Sequence, residues 1–115
     1  MKKLLLIITA TILLPGLEAY AGNAQGTGYV NKLGGNFSSS SSVYFGILPE
    51  PSNRDTCNTN TNYQFVFDPQ TPEGRVLYAA LIYAKATGKQ ITVRGSGDCI
   101  MGQPMEGISY WFFPE

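Results

Sequence analysis

The chain has 115 residues with eight basic and eight acidic side chains and no histidine. A chain without net charge lacks the basic surface that attracts nucleic acids and anionic membranes, so neither is an expected partner. Without histidine there is no imidazole base or imidazole metal ligand, which argues against catalysis. The carboxylates are scattered without ligand spacing, so we predict no metal site and no cofactor, and a hydrolase is the least favoured function.

The first residues have the pattern of a secretory signal peptide. Lys2 and Lys3 form a basic start, Leu4–Leu14 is an apolar run, and Ala-Tyr-Ala at 19–21 is an A-x-A cleavage site. The apolar run is too short to span a bilayer. We therefore expect cleavage after Ala21, a secreted or periplasmic protein without stable membrane insertion, and a single domain over residues 22–115.

Two cysteines, Cys57 and Cys99, lie in the part of the chain expected to be exported. Because export places both thiols in an oxidising compartment, the pair predicts a disulfide. On the chain-entropy model, closing a loop of about 40 residues would stabilise the fold by about 3–4 kcal/mol.

The best-defined element is a helix between Thr71 and Gly88. Thr71 is typical of an N-cap, Pro72 of the first helical position, and Gly88 of the left-handed residue that follows a helix. One broad face is apolar at helical spacing and is expected to face the core. Its members are Val76, Leu77, Ala80, Leu81, Tyr83 and Ala84.

The opposite face of this helix carries less charge than a solvent-facing surface usually does. Its members are Arg75, Tyr78, Ala79, Ile82, Lys85 and Ala86. Single exposed apolar residues are normal, so the face is interpreted either as ordinary surface or as a surface covered by a loop or by another subunit. Under the second interpretation the oligomer-interface candidates are Tyr78, Ile82 and Lys85.

Five further stretches have the composition and alternation of β-strands. They are Tyr29–Leu33, Val43–Leu48, Tyr63–Phe67, Gln90–Arg94 and Ile108–Phe113. With the helix between the third and fourth strands, the order is β-β-β-α-β-β, which is the chain order of an OB-fold, a mostly β, five-stranded Greek-key barrel. The alternative is an α+β roll with one helix on an open antiparallel sheet.

Binding is better supported than catalysis by the composition. Seven tyrosines, six phenylalanines and one tryptophan accompany loops rich in serine, asparagine and threonine. Aromatic rings that stack on sugars, with polar side chains that bond the sugar hydroxyls, make a glycan the first candidate ligand. Tyr44 and Trp111 are the candidate exposed aromatics and Arg94 the candidate anchor for an acidic sugar. The alternative is that all three pack on sheet surface.

The segment Leu77–Cys99 reads LYAALIYAKATGKQITVRGSGDC and is followed by a short aromatic strand. It resembles the C-terminal half of the subtilase cytotoxin B subunit and related small secreted bacterial proteins, in which an alanine-rich helix end with Thr-Gly-Lys precedes a strand and a cysteine. The resemblance implies an OB-fold, a ring of subunits with the helices lining its centre, and binding of sialylated glycans. The run Ser38–Ser42 lies in the part of the chain where the resemblance implies a sugar-binding serine region, and Ser40 is the candidate there.

These observations predict a secreted, non-enzymatic binding module. One form of it is a glycan-binding protein like a toxin B subunit, assembled as a homo-oligomeric ring. The alternative is a monomeric periplasmic or extracellular protein that binds or inhibits a protein partner through its long loops, at 36–42 and 52–62.

Overall fold

A computed structural model describes residues 22–37 and 41–114 of the chain. The predicted signal peptide at 1–21 and the candidate Ser40 lie outside these residues. The elements are β1 (Gln25–Asn36), β2 (Ser42–Leu48), β3 (Phe65–Phe67), α1 (Pro72–Thr87), β4 (Gln90–Cys99) and β5 (Glu106–Phe112).

The five strands form one sheet that closes on itself in the order β1-β2-β3-β5-β4, with β4 pairing back to β1. All neighbouring strands are antiparallel except β3 and β5, which are parallel. This confirms the OB-fold-like β-β-β-α-β-β arrangement, and the closure of the sheet excludes the open α+β roll.

Strand β1 is long because it serves two neighbours. Its first half pairs with β4 and its second half with β2. At Asn31 the register against β2 shifts by one residue, since Val30 pairs with Ile47 and Lys32 with Gly46. A bulge of this kind bends and twists a strand, which lets β1 turn from one side of the closed sheet to the other.

The predicted first strand, Tyr29–Leu33, is too short because the glycines around it were interpreted as loop residues. The structure extends pairing through Gly26 and Gly28 at one end and Gly34 and Gly35 at the other. At Gly28 a Cβ atom would lie 2.5 Å from the Leu48 carbonyl oxygen, so close strand approach requires glycine there.

Helix α1 begins and ends as predicted. The Thr71 Oγ1 accepts a hydrogen bond from the Gly74 N–H at 2.9 Å, and Gly88 adopts the left-handed conformation with φ 70°. The buried stripe is narrower than predicted and consists of Gly74, Leu77, Ala80, Leu81 and Ala84. Val76 and Tyr83 were wrongly assigned to the core; they flank this stripe and are 59% and 48% exposed.

The core fills the closed sheet and is sealed at one end by α1. Phe45 and Phe65 stack with ring centroids 5.2 Å apart, and neither side chain is exposed. Leu81 of α1 is buried in the same cluster as Ile91 and Val93 of β4. This packing places the outward side chains of the strands on the surfaces described below.

Strand β5 contains a bulge, and across it the core-facing side chains change from even-numbered to odd-numbered residues. Arg94 pairs with Tyr110 whereas Gly95 pairs with Ile108, so Ser109 is the extra residue. As a result both Ile108 and Trp111 pack against the core. The expectation that Trp111 is an exposed aromatic is therefore wrong, because a one-residue shift moves side chains to the other face of a strand.

The predicted disulfide between Cys57 and Cys99 is present, with the two Cα atoms 6.2 Å apart. It connects the long polar loop before β3 to the last residue of β4. Beside it lies Glu106, the first residue of β5, which pairs with Cys99 and is fully buried.

The Glu106 carboxylate is surrounded by hydrogen-bond donors. It accepts from the backbone N–H groups of Ala24, Asp55 and Gly97, each at 3.0 Å, and from the Asn58 side-chain amide at 2.9 Å. The carboxylate thus connects the start of the described chain, the long loop and β4. Gly95 makes room for it, since a Cβ there would lie 2.4 Å from Glu106 Oε1.

Candidate functional site

Outward side chains of β1, β4 and β5 form one continuous surface. Arg94 pairs with Gln25 on one side and with Tyr110 on the other, and Thr92 pairs in the same way with Thr27 and Phe112. Directly paired residues project from the same side of a sheet, so these side chains are neighbours. We call this surface the outer sheet face, defined by Gln25, Thr27, Thr92, Arg94, Tyr110 and Phe112.

The centre of the outer sheet face is polar. Arg94 Nη1 donates to Gln25 Oε1 at 2.9 Å, and the Thr27 and Thr92 hydroxyls lie 2.7 Å apart, within hydrogen-bonding distance. A guanidinium has five N–H donors, and this bond uses one of them. Among the described residues Arg94 has no ion pair, so its remaining donors are available to a ligand.

Two aromatic rings border this polar centre. Tyr110 and Phe112 lie side by side with centroids 6.3 Å apart and planes inclined by 9°, and about half of each side chain is exposed. A groove of about 300 Å³ runs between them and the polar residues and also contacts Ser52. The outer sheet face therefore combines two exposed aromatic rings with hydroxyl, amide and guanidinium groups.

A second concavity opens where the sheet is least tightly closed. Strands β3 and β5 pair only at Phe65 and Glu106, and beyond that point a cleft of about 420 Å³ separates them. We call it the β3–β5 cleft. Its lining residues are Val66, Phe67, Asp68, Thr71, Glu73, Gly74, Leu77, Ile100, Ile108, Ser109, Tyr110 and Trp111.

A third concavity of about 430 Å³ lies between the facing ends of β1 and β2 and the turn before α1. Tyr78 of α1 forms part of its lining together with Pro69 and Gln70. Ile82 and Lys85 are on the exposed side of the same helix, where the Lys85 ammonium donates to the Asn31 carbonyl oxygen at 3.5 Å.

The candidates predicted from the sequence do not meet at one site. Arg94 lies on the outer sheet face, whereas Trp111 lines the β3–β5 cleft. Tyr44 is half-buried on β2, where its hydroxyl donates to the Gly35 carbonyl at 3.2 Å and its ring meets Tyr63 edge-on at 4.7 Å.

Two residues of the outer sheet face, Tyr110 and Phe112, were missed as ligand candidates. Strict alternation left open which set of aromatic side chains on the last strand faces outward, and the bulge at Ser109 decides it. The signal in the sequence was that Tyr110 and Phe112 are two residues apart, as are Arg94 and Thr92. This signal can be used only when the pairing of the two strands is known.

Within residues 22–37 and 41–114, no group of three Cys, Asp or Glu side chains is arranged to hold a metal ion. The helix in that part of the chain lacks the length and apolar character needed to cross a membrane.

Comparison with known proteins identifies no relative. The chain matches no protein-family model, no curated protein and no solved structure. The relationship to toxin B subunits therefore stays a prediction that is based on the segment Leu77–Cys99.

Proposed function

We propose that this protein is a secreted, non-enzymatic binding module that recognises glycans through its outer sheet face. The observation that carries the proposal is the combination, on one surface, of Arg94 with unused donors and two half-exposed rings, Tyr110 and Phe112. Ligand sites typically combine apolar or aromatic walls with a few well-placed polar groups.

Each part of this surface has a role in sugar binding. The half-exposed rings of Tyr110 and Phe112 offer apolar surface on which the C–H face of a sugar can pack. Hydroxyl and amide groups of Thr27, Thr92 and Gln25 are suited to bond sugar hydroxyls. Arg94 would pair with the carboxylate of an acidic sugar, since a guanidinium matches a carboxylate in a two-pronged geometry.

The disulfide supports export, because disulfides persist in oxidising compartments. Cleavage after Ala21 and delivery to the periplasm or the exterior belong to the proposal. They would be checked by the N-terminal sequence of the protein recovered from those fractions.

The test of glycan recognition is a glycan array with purified protein. We expect binding to be reduced at least about tenfold by Tyr110→Ala and by Arg94→Gln, since each removes a central contact. The matched controls are Tyr83→Ala and Arg75→Gln, a similarly exposed tyrosine and an exposed arginine on α1. Equal loss in controls and test variants, or no glycan bound by the parent, would refute the proposal.

The resemblance to toxin B subunits also implies a ring of subunits. The exposed face of α1 supports self-association. Tyr78 and Ile82 are 42% and 45% exposed on a helix whose outer face carries few charges. If this face is a subunit contact, Ile82→Glu should convert an oligomeric parent into a folded monomer, because a buried unpaired carboxylate is strongly unfavourable. Light scattering after size exclusion measures this, and a parent already monomeric at micromolar concentration would exclude the ring.

A monomeric protein that binds another protein is the second candidate function. It is favoured by the ten large hydrophobic side chains that the described residues expose, several of them aromatic. The cleft between β3 and β5 gives this candidate a specific location.

A further inference from the structure

The second half of β5 has a partner on only one side. Thr92, Val93, Arg94 and Gly95 of β4 pair with it between Ile108 and Phe112. On its other side, the described residues provide a partner only at Glu106, where β3 begins. The backbone N–H and C=O groups that point away from β4 along Ile108–Phe112 are therefore free to pair with another strand.

The opposite wall of the β3–β5 cleft has the same property. Strand β3 pairs with β2 through Phe65, Val66 and Phe67, whereas its other edge meets β5 only at Phe65. Leu77 and Gly74 of α1 also line the cleft, and we call them its floor. The cleft thus presents two strand edges above an apolar floor.

Nothing in the sequence of β5 protects this edge by charge. The residues from Gly107 to Pro114 are all uncharged, and they include Tyr110, Trp111 and Phe112. Natural proteins protect a free edge with charge, with proline, with a bulge or by covering it. Here the bulge at Ser109 and Pro114 interrupt the edge only locally, so the uncharged aromatic edge beside the cleft stays open to a strand that covers it.

We propose that the β3–β5 cleft is a docking groove for an extended segment of a partner protein. The segment adds as a strand along the free edge of β5, puts alternate apolar side chains on the floor of the cleft, and carries a basic residue. Main-chain bonds to an exposed edge supply affinity in this mode of recognition, and pockets for alternate side chains supply specificity. The inference goes beyond glycan recognition and does not depend on it.

The basic residue of the partner segment is inferred from the charge of the cleft. Asp68 and Glu73 are the charged residues that line the cleft, and both are acidic. The nearby Arg75 does not neutralise them, since its guanidinium donates to the Gln70 carbonyl at 2.8 Å and the described residues give it no ion pair. A cationic side chain near the mouth of the cleft would gain from both carboxylates.

The experiment titrates isotopically labelled protein with short capped peptides and follows amide signals and hydrogen exchange. The first peptide alternates valine and threonine between two terminal lysines, and its counterpart carries glutamates in place of the lysines. We expect the lysine peptide to bind saturably and to slow amide exchange between Ile108 and Phe112 by at least about tenfold. The glutamate peptide should bind at least about tenfold more weakly.

Two controls separate strand addition from loose apolar contact. Two N-methylated peptides are compared, one methylated at its odd-numbered amides and the other at its even-numbered amides. Only one of them should lose binding, because the amides of a strand point alternately toward its two neighbours. Asp68→Asn with Glu73→Gln should reduce the preference for lysine to within about twofold. The control Glu50→Gln with Asp55→Asn removes two charges that do not line the cleft and should leave the preference intact.

Three results would overturn the proposal. One is absence of binding, and another is binding without protection of the Ile108–Phe112 amides. The third is protection of these amides in the protein alone that rises with protein concentration, which would show that a second copy occupies the cleft.

Discussion

The two halves of β5 differ in how completely they are bonded. At its start, Glu106 is fully buried, its carboxylate accepts from Ala24, Asp55, Asn58 and Gly97, and its own N–H donates to the Gln64 carbonyl at 3.1 Å. From Ile108 onward the strand has one partner and carries half-exposed aromatic side chains. One strand thus connects a fully hydrogen-bonded polar centre to an exposed aromatic surface.

The polar centre extends beyond Glu106. Asn58, which donates to the carboxylate, also donates to the Gln64 carbonyl at 3.1 Å, and the Gln64 side-chain oxygen accepts from the Ile47 N–H at 3.0 Å. Such a network is stable only when each member has its partners, and these buried groups do. The long loop that contains Asn58 is therefore held to the sheet along its length as well as at Cys57.

The largest expected effect is on the first half of β5, around Glu106. Glu106→Gln should lower the free energy of unfolding by about 3–5 kcal/mol, because the NH₂ group would leave two buried N–H donors without an acceptor, at about 1–3 kcal/mol each. Both carboxylate oxygens accept hydrogen bonds, so either orientation of the amide turns its NH₂ group toward N–H donors. Urea unfolding measures the loss.

The control for this prediction is Glu50→Gln. Its side chain is 55% exposed and lies 3.7 Å from Arg54, so its loss should cost less than about 1 kcal/mol. Equal effects of the two substitutions would remove the contrast between the halves of β5.

The next effect concerns the disulfide, which supports the same first half of β5 because Cys99 pairs with Glu106. Replacing both cysteines by serine should cost about 3–4 kcal/mol on the chain-entropy model for a loop of about 40 residues. Thermal unfolding of the parent with and without reductant checks it. The reductant should lower the thermal stability of the parent to nearly that of the double variant and should not change that of the variant. A parent that is as stable with reductant as without it would contradict the prediction.

The smallest effect distinguishes neighbouring side chains in the open half. Trp111→Ala should destabilise by about 2–3 kcal/mol, because the ring packs on the core, whereas Phe112→Ala should cost less than about 1 kcal/mol. Denaturant unfolding of the two variants side by side measures the difference. The reverse order would contradict the assignment of Trp111 to the core side of β5.

Features set by local chemistry could be predicted from the sequence. Thr71, Pro72 and Gly88 define the ends of α1 because each acts within one turn of the helix. The order of strands and helix along the chain followed from alternation, and the disulfide from the even cysteine count. That order also fits an open α+β roll, and the closure of the sheet decides for the OB-like fold.

Features set by pairing between distant segments could not be predicted. The bulges at Asn31 and Ser109 are defined only against their partner strands, so the outward set of β5 side chains was unknown. The burial of Glu106 depends on donors from three distant segments, and its sequence neighbours give no indication of them. For the same reason Arg94 was found as a candidate and the rings beside it were not.

The contact between Gly95 and Glu106 has an evolutionary consequence. A Cβ atom at position 95 would lie 2.4 Å from the Glu106 carboxylate, so a larger residue there would displace the carboxylate from its hydrogen-bond donors. The fitness of a substitution at one position thus depends on the residue at the other. In homologous chains the two positions should covary, with glycine retained wherever the acid is retained and larger residues appearing only after the acid is lost.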